Sequence, residues 1–339
     1  MTELTDNQKK VVDAINNGHS TIDAIVENSG LSKSQVTGTI TSLTKKDLIQ
    51  KNEDNQYISN NSIKSEGANK TNSVTEEESG VRKIAVLIPY LKSEADGDEL
   101  KFALRSLEQN LKENFSVVII GDREDWFSPE IVHIPHQPHL IKEECDCPIP
   151  SMVRNPQADV THKIFTAIAS GEIDGDFILT NDDIFLLGPT HLSDIAVLKA
   201  FGLLDKGGKE GGIYNQNIKR TAKALEGNNL PLHRYGAHIP VLLNAESIID
   251  VIEKYNATER GFLLTSLYFN ERHPEARPIQ VTGTVNDSIL ASAYRADIPK
   301  DVLEDVFRTR KFINCNSKGW SAIKPFLEKA FPNPSSYEL

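Results

Sequence analysis

Residues 83–135 change their hydrophobic period twice. KIAVLIPY is an almost unbroken apolar run, of the kind that lies buried on both faces of a parallel sheet. It gives way to DELKFALRSLEQNLKEN, in which Leu100, Leu104, Leu107 and Leu111 recur at helical spacing, and then to two more apolar runs, FSVVIIGD and EIVHIP. This strand–helix–strand order predicts an open α/β sheet flanked by helices, with right-handed crossovers. A helix at about His162–Ala169 and a further strand, DFILTNDDIFLL, extend the pattern. Ligands bind such sheets at the carboxyl ends of the strands, which is where chemistry is expected.

Several classes are excluded early. The 339 residues carry 37 Lys and Arg against 48 Asp and Glu, a net charge of -11, so the chain does not coat nucleic acid or anionic membrane by bulk charge. The N-terminal stretch MTELTDNQKK has no apolar leader core, and no run of about 18 apolar residues follows, so no membrane role is expected. Cys145, Cys147 and Cys315 make neither a disulfide framework nor a zinc pattern; reduced thiols in a cytoplasm, that of a bacterium or a phage-infected host, are expected. The sequence contains no G-x-G-x-x-G after the first strand, no P-loop and no G-x-S-x-G elbow, which removes support for dehydrogenase, P-loop kinase and serine hydrolase.

Ahead of this unit, residues 1–60 read as three short helices and two strands. Val11, Val12 and Ile15 share one face, and Ile22, Ile25 and Val26 share the next. Gly18 ends the first helix, Ser20 caps the second and Gly30 ends it, and Ser32 caps a third that carries Val36, Ile40 and Leu43. Strands are expected at Leu48–Lys51 and Gln56–Ser59. With GLSKSQV, KDLIQK and YIS, this segment resembles the winged helix-turn-helix domains of bacterial regulators. The resemblance implies that the third helix reads DNA through Lys33, Ser34, Gln35, Thr37, Thr39 and Thr41. Six lysines against eight acids in this segment do not make a basic footprint, so a protein-docking role is the alternative. Residues 61–81, without an aromatic side chain, are expected to be a flexible tether with a reach of roughly 25 Å.

In the large unit, residues 82–339, Thr180-Asn181-Asp182-Asp183 follow the apolar DFIL directly. Adjacent aspartates at a strand end repel each other unless a cation lies between them, and hard oxygen ligands suit Mg²⁺ or Mn²⁺, which in turn hold a diphosphate. The plainer reading is an acidic turn. Asp287 in QVTGTVNDSIL, with Glu271 and Glu275 as alternatives, is a candidate acid on the acceptor side. Arg105 is expected to be a solvated partner of Glu108 and Gln109 on its own helix. The Gly- and Lys-rich stretch 205–228 reads as a mobile insertion beside the site.

IPYLKS, GDREDW, MVRNPQ and NDD occur in an order that resembles the GT-A glycosyltransferase superfamily, a Rossmann-like open mixed sheet. DELKFALRSLEQN, GDREDWF, NDDIF and FPNPSSYE are similar to Stealth-type sugar-phosphate transferases. The resemblance implies that Pro89 and Tyr90 line a nucleotide pocket, that Asp122 meets the base or ribose, and that Arg154 and Asn155 lie along the donor phosphates. It also implies that Asp182 and Asp183 hold the metal. His238, in an H-x-P pattern with Pro240, would complete the metal site or touch the acceptor, with His233 as fallback. The triplet is N-D-D where the superfamily has D-x-D. The expected activity is metal-dependent transfer of a sugar from a nucleotide sugar, a UDP-sugar first, to an acceptor hydroxyl. A DNA-reading module suggests a hydroxymethylated pyrimidine of phage DNA as that acceptor. Sugar-1-phosphate transfer to a glycan and a nucleotide-sugar-sensing transcription regulator are the alternatives.

Overall fold

The computed structural model describes residues 4–31, 33–45, 48–52, 56–59, 83–143, 151–204, 212–284 and 286–339. The expected cap Ser32, the tether 61–81, Cys145, Cys147 and the first part of the 205–228 insertion lie outside the described residues. The chain divides into two compact units, residues 1–82 with 166–175, and residues 83–165 with 176–339.

In the first unit, α1 (Asp6–Asn16), α2 (Ile22–Ser29) and α3 (Lys33–Lys45) precede an antiparallel pair, β1 (Ile49–Lys51) and β2 (Tyr57–Ser59). Thr5 and Gln8 close a reciprocal capping box on α1. The cap of α2 is Thr21, whose hydroxyl accepts from the Ala24 N–H, and not its neighbour Ser20. Gly30, at φ 68°, ends α2 in the left-handed turn expected of it. Val11, Val12, Ile15, Ile25, Val36, Ile40, Leu43 and Ile49 form the core.

The second unit is built on a five-stranded sheet of β3 (Ile84–Tyr90), β4 (Phe115–Gly121), β5 (Ile131–Pro135), β8 (Asp176–Leu179) and β11 (Val241–Asn244). The spatial order is β11-β8-β3-β4-β5, all parallel except β11. Between β3 and β5 the chain passes through α4 (Glu99–Asn110), and from β5 to β8 through the hairpin β6 (Leu140–Lys142) and β7 (Met152–Arg154) and helix α5 (Pro156–Ala169). A second sheet, ordered β13-β14-β9, joins β9 (Ile184–Leu186), β13 (Leu290–Ala293) and β14 (Phe312–Cys315). DFILTNDDIFLL is therefore two strands, β8 and β9, in different sheets. The rest of the unit is α6 (Leu192–Ala196), the short parallel pair β10 (Lys199–Ala200) and β12 (Ile279–Gln280), α7 (Ile213–Glu226), α8 (Ala245–Tyr255), α9 (Leu264–Arg272), α10 (Lys300–Thr309) and α11 (Ser317–Ala330).

Helix α4 ties the two sheets together. Leu100, Leu104 and Leu107, with Leu111 just beyond its end, pack with Val86, Ile88, Val117, Ile119 and Ile178 of the large sheet. Phe102 and Ala103 join Phe185, Ile313, Trp320 and Ile323 of the small sheet and α11. Burial of each such side chain contributes on the order of 2 kcal/mol. Pro89, which has no N–H, is tolerated in a central strand because β8 pairs with β3 only as far as Leu87, while β4 follows it to Tyr90. Beyond Leu87 the two strands part, and the crevice at the point where strand order reverses opens there.

Arg105 is not a partner of its helix neighbours. Its guanidinium forks onto Glu338, at 2.7 and 2.6 Å, with both side chains largely buried. Ser336 N–H donates to Glu108, Ser128 N–H to the Tyr337 carbonyl, and Leu339 N–H to the Trp126 carbonyl. Three quoted motifs, DELKFALRSLEQN, GDREDWF and FPNPSSYE, thus meet in one clasp. Glu338→Ala strands the buried guanidinium and is expected to lower stability by about 3 kcal/mol in urea denaturation. Burial pushes the Glu338 carboxyl up, but Arg105 and the Ser335 N–H outweigh it and hold it below its ordinary value of 4.5, so this contribution is present above that pH and is lost on acidification.

Candidate functional site

Asp182 and Asp183 lie in the four-residue span between β8 and β9, so they leave the large sheet in the crevice and lead into the small one. Asp183 Oδ1 is 2.7 Å from His238 Nε2. That nitrogen donates to the carboxylate and has no lone pair left for Asn181 Nδ2 at 3.4 Å, so the shorter contact is the hydrogen bond. His238 sits at φ 53°, a left-handed conformation unusual for a residue other than glycine, and its carbonyl accepts from Asn314 Nδ2 at 2.7 Å. Asn314 is fully buried on β14.

Charge is crowded here. Burial, then Asp183, then Glu99 push the Asp182 carboxyl well above the usual carboxylate range. Glu99, 3% exposed, is itself pushed up by burial against the opposing pull of the Asp96 N–H and the Cys315 thiol. Burial lowers the His238 imidazole, but the Asp183 and Asp182 carboxylates outweigh it and the net shift is upward. Two carboxylates repelling each other at a half-buried strand end fit a Mg²⁺ or Mn²⁺ ion that takes its remaining ligands from phosphates and water. Among the described residues no group of three or more His, Cys, Asp or Glu is arranged to hold a metal by itself.

The other expected donor residues lie at the ends of β3 and β4 and where β7 turns into α5. Pro89 is buried in β3. Tyr90 Oη donates to Glu124 Oε1 at 2.7 Å, and Lys92 Nζ meets the other oxygen of Glu124 at 2.6 Å. Asp122 Oδ2 accepts from the Lys92 N–H at 2.8 Å. It follows Gly121, at φ 132°, where a Cβ would stand 1.8 Å from the Tyr90 carbonyl oxygen. Arg154 is held by Glu94 at 2.8 Å and by the buried Asp159 at 3.5 Å. Asn155 caps α5 through Gln157 N–H and Ala158 N–H and exchanges hydrogen bonds with Asn217 of α7. Its polar atoms are engaged inside the protein.

Asp287 does not join these groups. Oδ2 accepts from Thr282 and Gly283 N–H, and Oδ1 from Ile289 and Leu290 N–H, which organises the turn before β13. Although burial opposes them, these four donors hold its carboxyl below the ordinary value of 3.8. Asp287→Asn is expected to lower the denaturation midpoint by an amount worth about 2 kcal/mol, an effect that vanishes as pH falls through the carboxylate range. Glu271 is taken by Lys254 and Tyr255. The stretch after Gly212 is not an irregular insertion: it forms α7, with Asn217, Ile218, Thr221 and Leu225 buried.

Beside the acid pair lies a cavity of about 240 Å³, bounded by α5, the end of β8, α7, residues 235–241 and the start of α9. Asn181 and His238 line it on the side of the aspartates. In the first unit, Lys33 and Thr37 are exposed on α3, Gln35 and Thr39 are partly covered, and the side chains of Ser34 and Thr41 lie outside the described residues. Lys33 pairs with Asp23 at 3.0 Å.

No protein-family model matches the chain, and no curated protein matches it by sequence. Among solved structures it is similar to the apo structure of WbbM, a bifunctional glycosyltransferase, at 10% identity and a TM-score of 0.42, over 92% of this chain. The chain spans 62% of that protein's length. A likeness at this level carries no argument about activity. No helix among the described residues is long and apolar enough to cross a membrane.

Proposed function

We propose that the chain is a metal-dependent glycosyltransferase that moves a sugar from a nucleotide-sugar donor to an acceptor hydroxyl. The observation that carries this reading is the Asp182–Asp183 pair at the strand-order reversal, where Glu99 and burial add to its charge crowding. Asp182 and Asp183 would hold Mn²⁺ or Mg²⁺, which when bound neutralises the charge that builds on the departing nucleoside diphosphate. His238 orients Asp183 through its Nε2–H, and its left-handed backbone is braced by Asn314. Tyr90, Asp122 and Glu124 stand at the ends of the neighbouring strands, where a nucleoside would lie. Arg154, already paired, would reach donor phosphates only by exchanging Glu94 for them. Asp287, with its acceptor positions filled, holds the loop rather than a proton.

A DNA acceptor is the second reading. It rests on the order of three helices and a two-stranded hairpin in the first unit, which resembles a winged helix-turn-helix, with Lys33 and Thr37 exposed on α3. The test is incubation with Mn²⁺, a panel of nucleotide sugars, oligosaccharides, and DNA with or without hydroxymethylated bases, followed by mass analysis. A gain of one hexose on an acceptor, with release of nucleoside diphosphate, is expected. A phosphodiester in the product would replace the proposal with sugar-1-phosphate transfer. Binding of nucleotide sugar without turnover on any acceptor would replace it with a sensor.

A further inference from the structure

At the end of the small sheet away from the acid pair lies a cavity of about 380 Å³, bounded by residues 187–189 after β9, 288–289 before β13 and 308–311, where α10 leads into β14. Asn314 pairs with Ile184, next to the aspartates, whereas the Leu187 N–H donates to the Lys311 carbonyl at the cavity. Lys199, Arg308, Arg310 and Lys311 line it, and Asp194 is the one acid among the described lining residues. Two carboxylates serve these four cations among the described residues. Asp194 is 2.7 Å from Lys311 Nζ, and Asp305 takes Arg308 at 2.5 Å and Arg310 at 3.9 Å.

Lys199 is the cation least provided for. It is 7% exposed, its ammonium donates to the main-chain carbonyls of Asp194 at 2.5 Å and Val197 at 2.8 Å, and no carboxylate among the described residues lies within ion-pair distance of it. The other buried lysine among the described residues, Lys163, has Asp159 at 3.5 Å. Buried charges are normally paired, so Lys199 stands out. Burial draws its amine down to about 8 against the pull of Asp194, and Lys311 lowers it further. Two positive charges are left over in the group, which one phosphate dianion of about -2 balances. Guanidinium and ammonium groups are the side chains that grip phosphate oxygens. Val197 and Ile279, both exposed on the same lining, offer apolar surface to the carbon body of an ester, and the volume is that of a small-molecule site. A planar lipid surface meets exposed cations and does not reach an ammonium buried this far.

We propose that this cavity binds a phosphate group, as the free ion or on a small ester, with Lys199, Lys311 and Arg308 as its cationic partners. The site is separate from the acid pair and stands whether or not the transferase reading holds. The anion would tie together three chain segments that enter or leave the small sheet, so occupancy is expected to raise Tm.

The test is calorimetric titration of the full chain in EDTA, which keeps metal off the acid pair, with inorganic phosphate, glucose 6-phosphate, glycerol 3-phosphate and, as the uncharged counterpart, glucose. Vesicles of phosphatidylserine are titrated separately. Saturable binding of at least one phosphate compound with Kd below about 1 mM and a rise in Tm are expected, with no binding of glucose. Equal affinity for inorganic phosphate and the esters assigns the site to the free ion, and an ester bound at least about tenfold more tightly assigns it to a phosphomonoester. Lys199→Met, Lys311→Gln and Arg308→Gln should each weaken binding about tenfold, whereas Lys318→Gln, at an exposed position on α11, should leave it unchanged. Arg308 is largely exposed, so its variant keeps the test open if Lys199→Met fails to fold. Absence of saturable binding, unchanged affinity in both Lys311→Gln and Arg308→Gln, or an equal loss in Lys318→Gln would overturn the proposal. Binding to the vesicles with none to the soluble phosphates would overturn it in favour of a membrane surface.

Discussion

Asp182→Asn and Asp183→Asn should each give a folded protein that transfers sugar at least about a thousandfold more slowly and binds UDP no better with Mn²⁺ than without it. The two should part company in stability. Asp182 is crowded by Asp183 and Glu99 in a half-buried site, so its replacement by a neutral amide relieves repulsion and raises Tm by roughly 2–4 °C, the response of a large domain to about 1 kcal/mol. Because its carboxyl titrates above the ordinary value of 3.8, that strain is absent in acid and grows as pH rises past this value. The advantage of the variant should therefore close at low pH. Asp183→Asn loses the charge-assisted 2.7 Å bond to His238 and should show no such gain. Calorimetric melting across pH, with turnover measured on the same preparations, separates these outcomes. Retention of Mn²⁺-dependent turnover within tenfold in both variants would remove the acid pair from the chemistry.

Gly121→Ala should produce a large loss of stability. Gly121 closes β4 in register with Tyr90, at φ 132°, and a Cβ there falls 1.8 Å from the Tyr90 carbonyl oxygen. The collision is with backbone of a central strand, which no side-chain rotation relieves. A loss on the order of 4 kcal/mol or more, or failure to fold, is expected. Gly97→Ala is the control: its φ of 110° is similarly unfavourable, but nothing lies within 4 Å of the added carbon, so about 1–2 kcal/mol is expected. Equal urea midpoints for the two variants would show that the ends of β3 and β4 relax freely.

The parts of the fold that could be read in the chain are those set by local periodicity. Leu100, Leu104, Leu107 and Leu111 all reach the large-sheet core because helical spacing alone decides which face they share. The same logic failed for DFILTNDDIFLL, since an apolar run does not say which strands it pairs with, and β8 and β9 belong to different sheets. Ser20 and Thr21 offered the same hydroxyl one position apart, and only the backbone shows which one caps. In α7 the glycines before Ile213 hid a helix whose Ile218, Ala222 and Leu225 were at readable spacing. Local spacing points Arg105 to its helix neighbours, whereas its partner, Glu338, is 233 positions away. Around the site the Asp182–Asp183 pair and His238 carried sequence signals, an acidic strand end and an H-x-P turn. Glu99, Asn314 and Glu124 did not, because what matters about them is burial and proximity created by chain segments far apart.

The four residues that connect β8 to β9 are a direct covalent crossing between the two sheets, and the aspartates stand within it. The acid pair is consequently carried on backbone anchored at one end in the large sheet and at the other in the small one. Phe185, Ile313 and Trp320 pack the small sheet that receives this crossing, so the footing of the acid pair is shared between two hydrophobic cores.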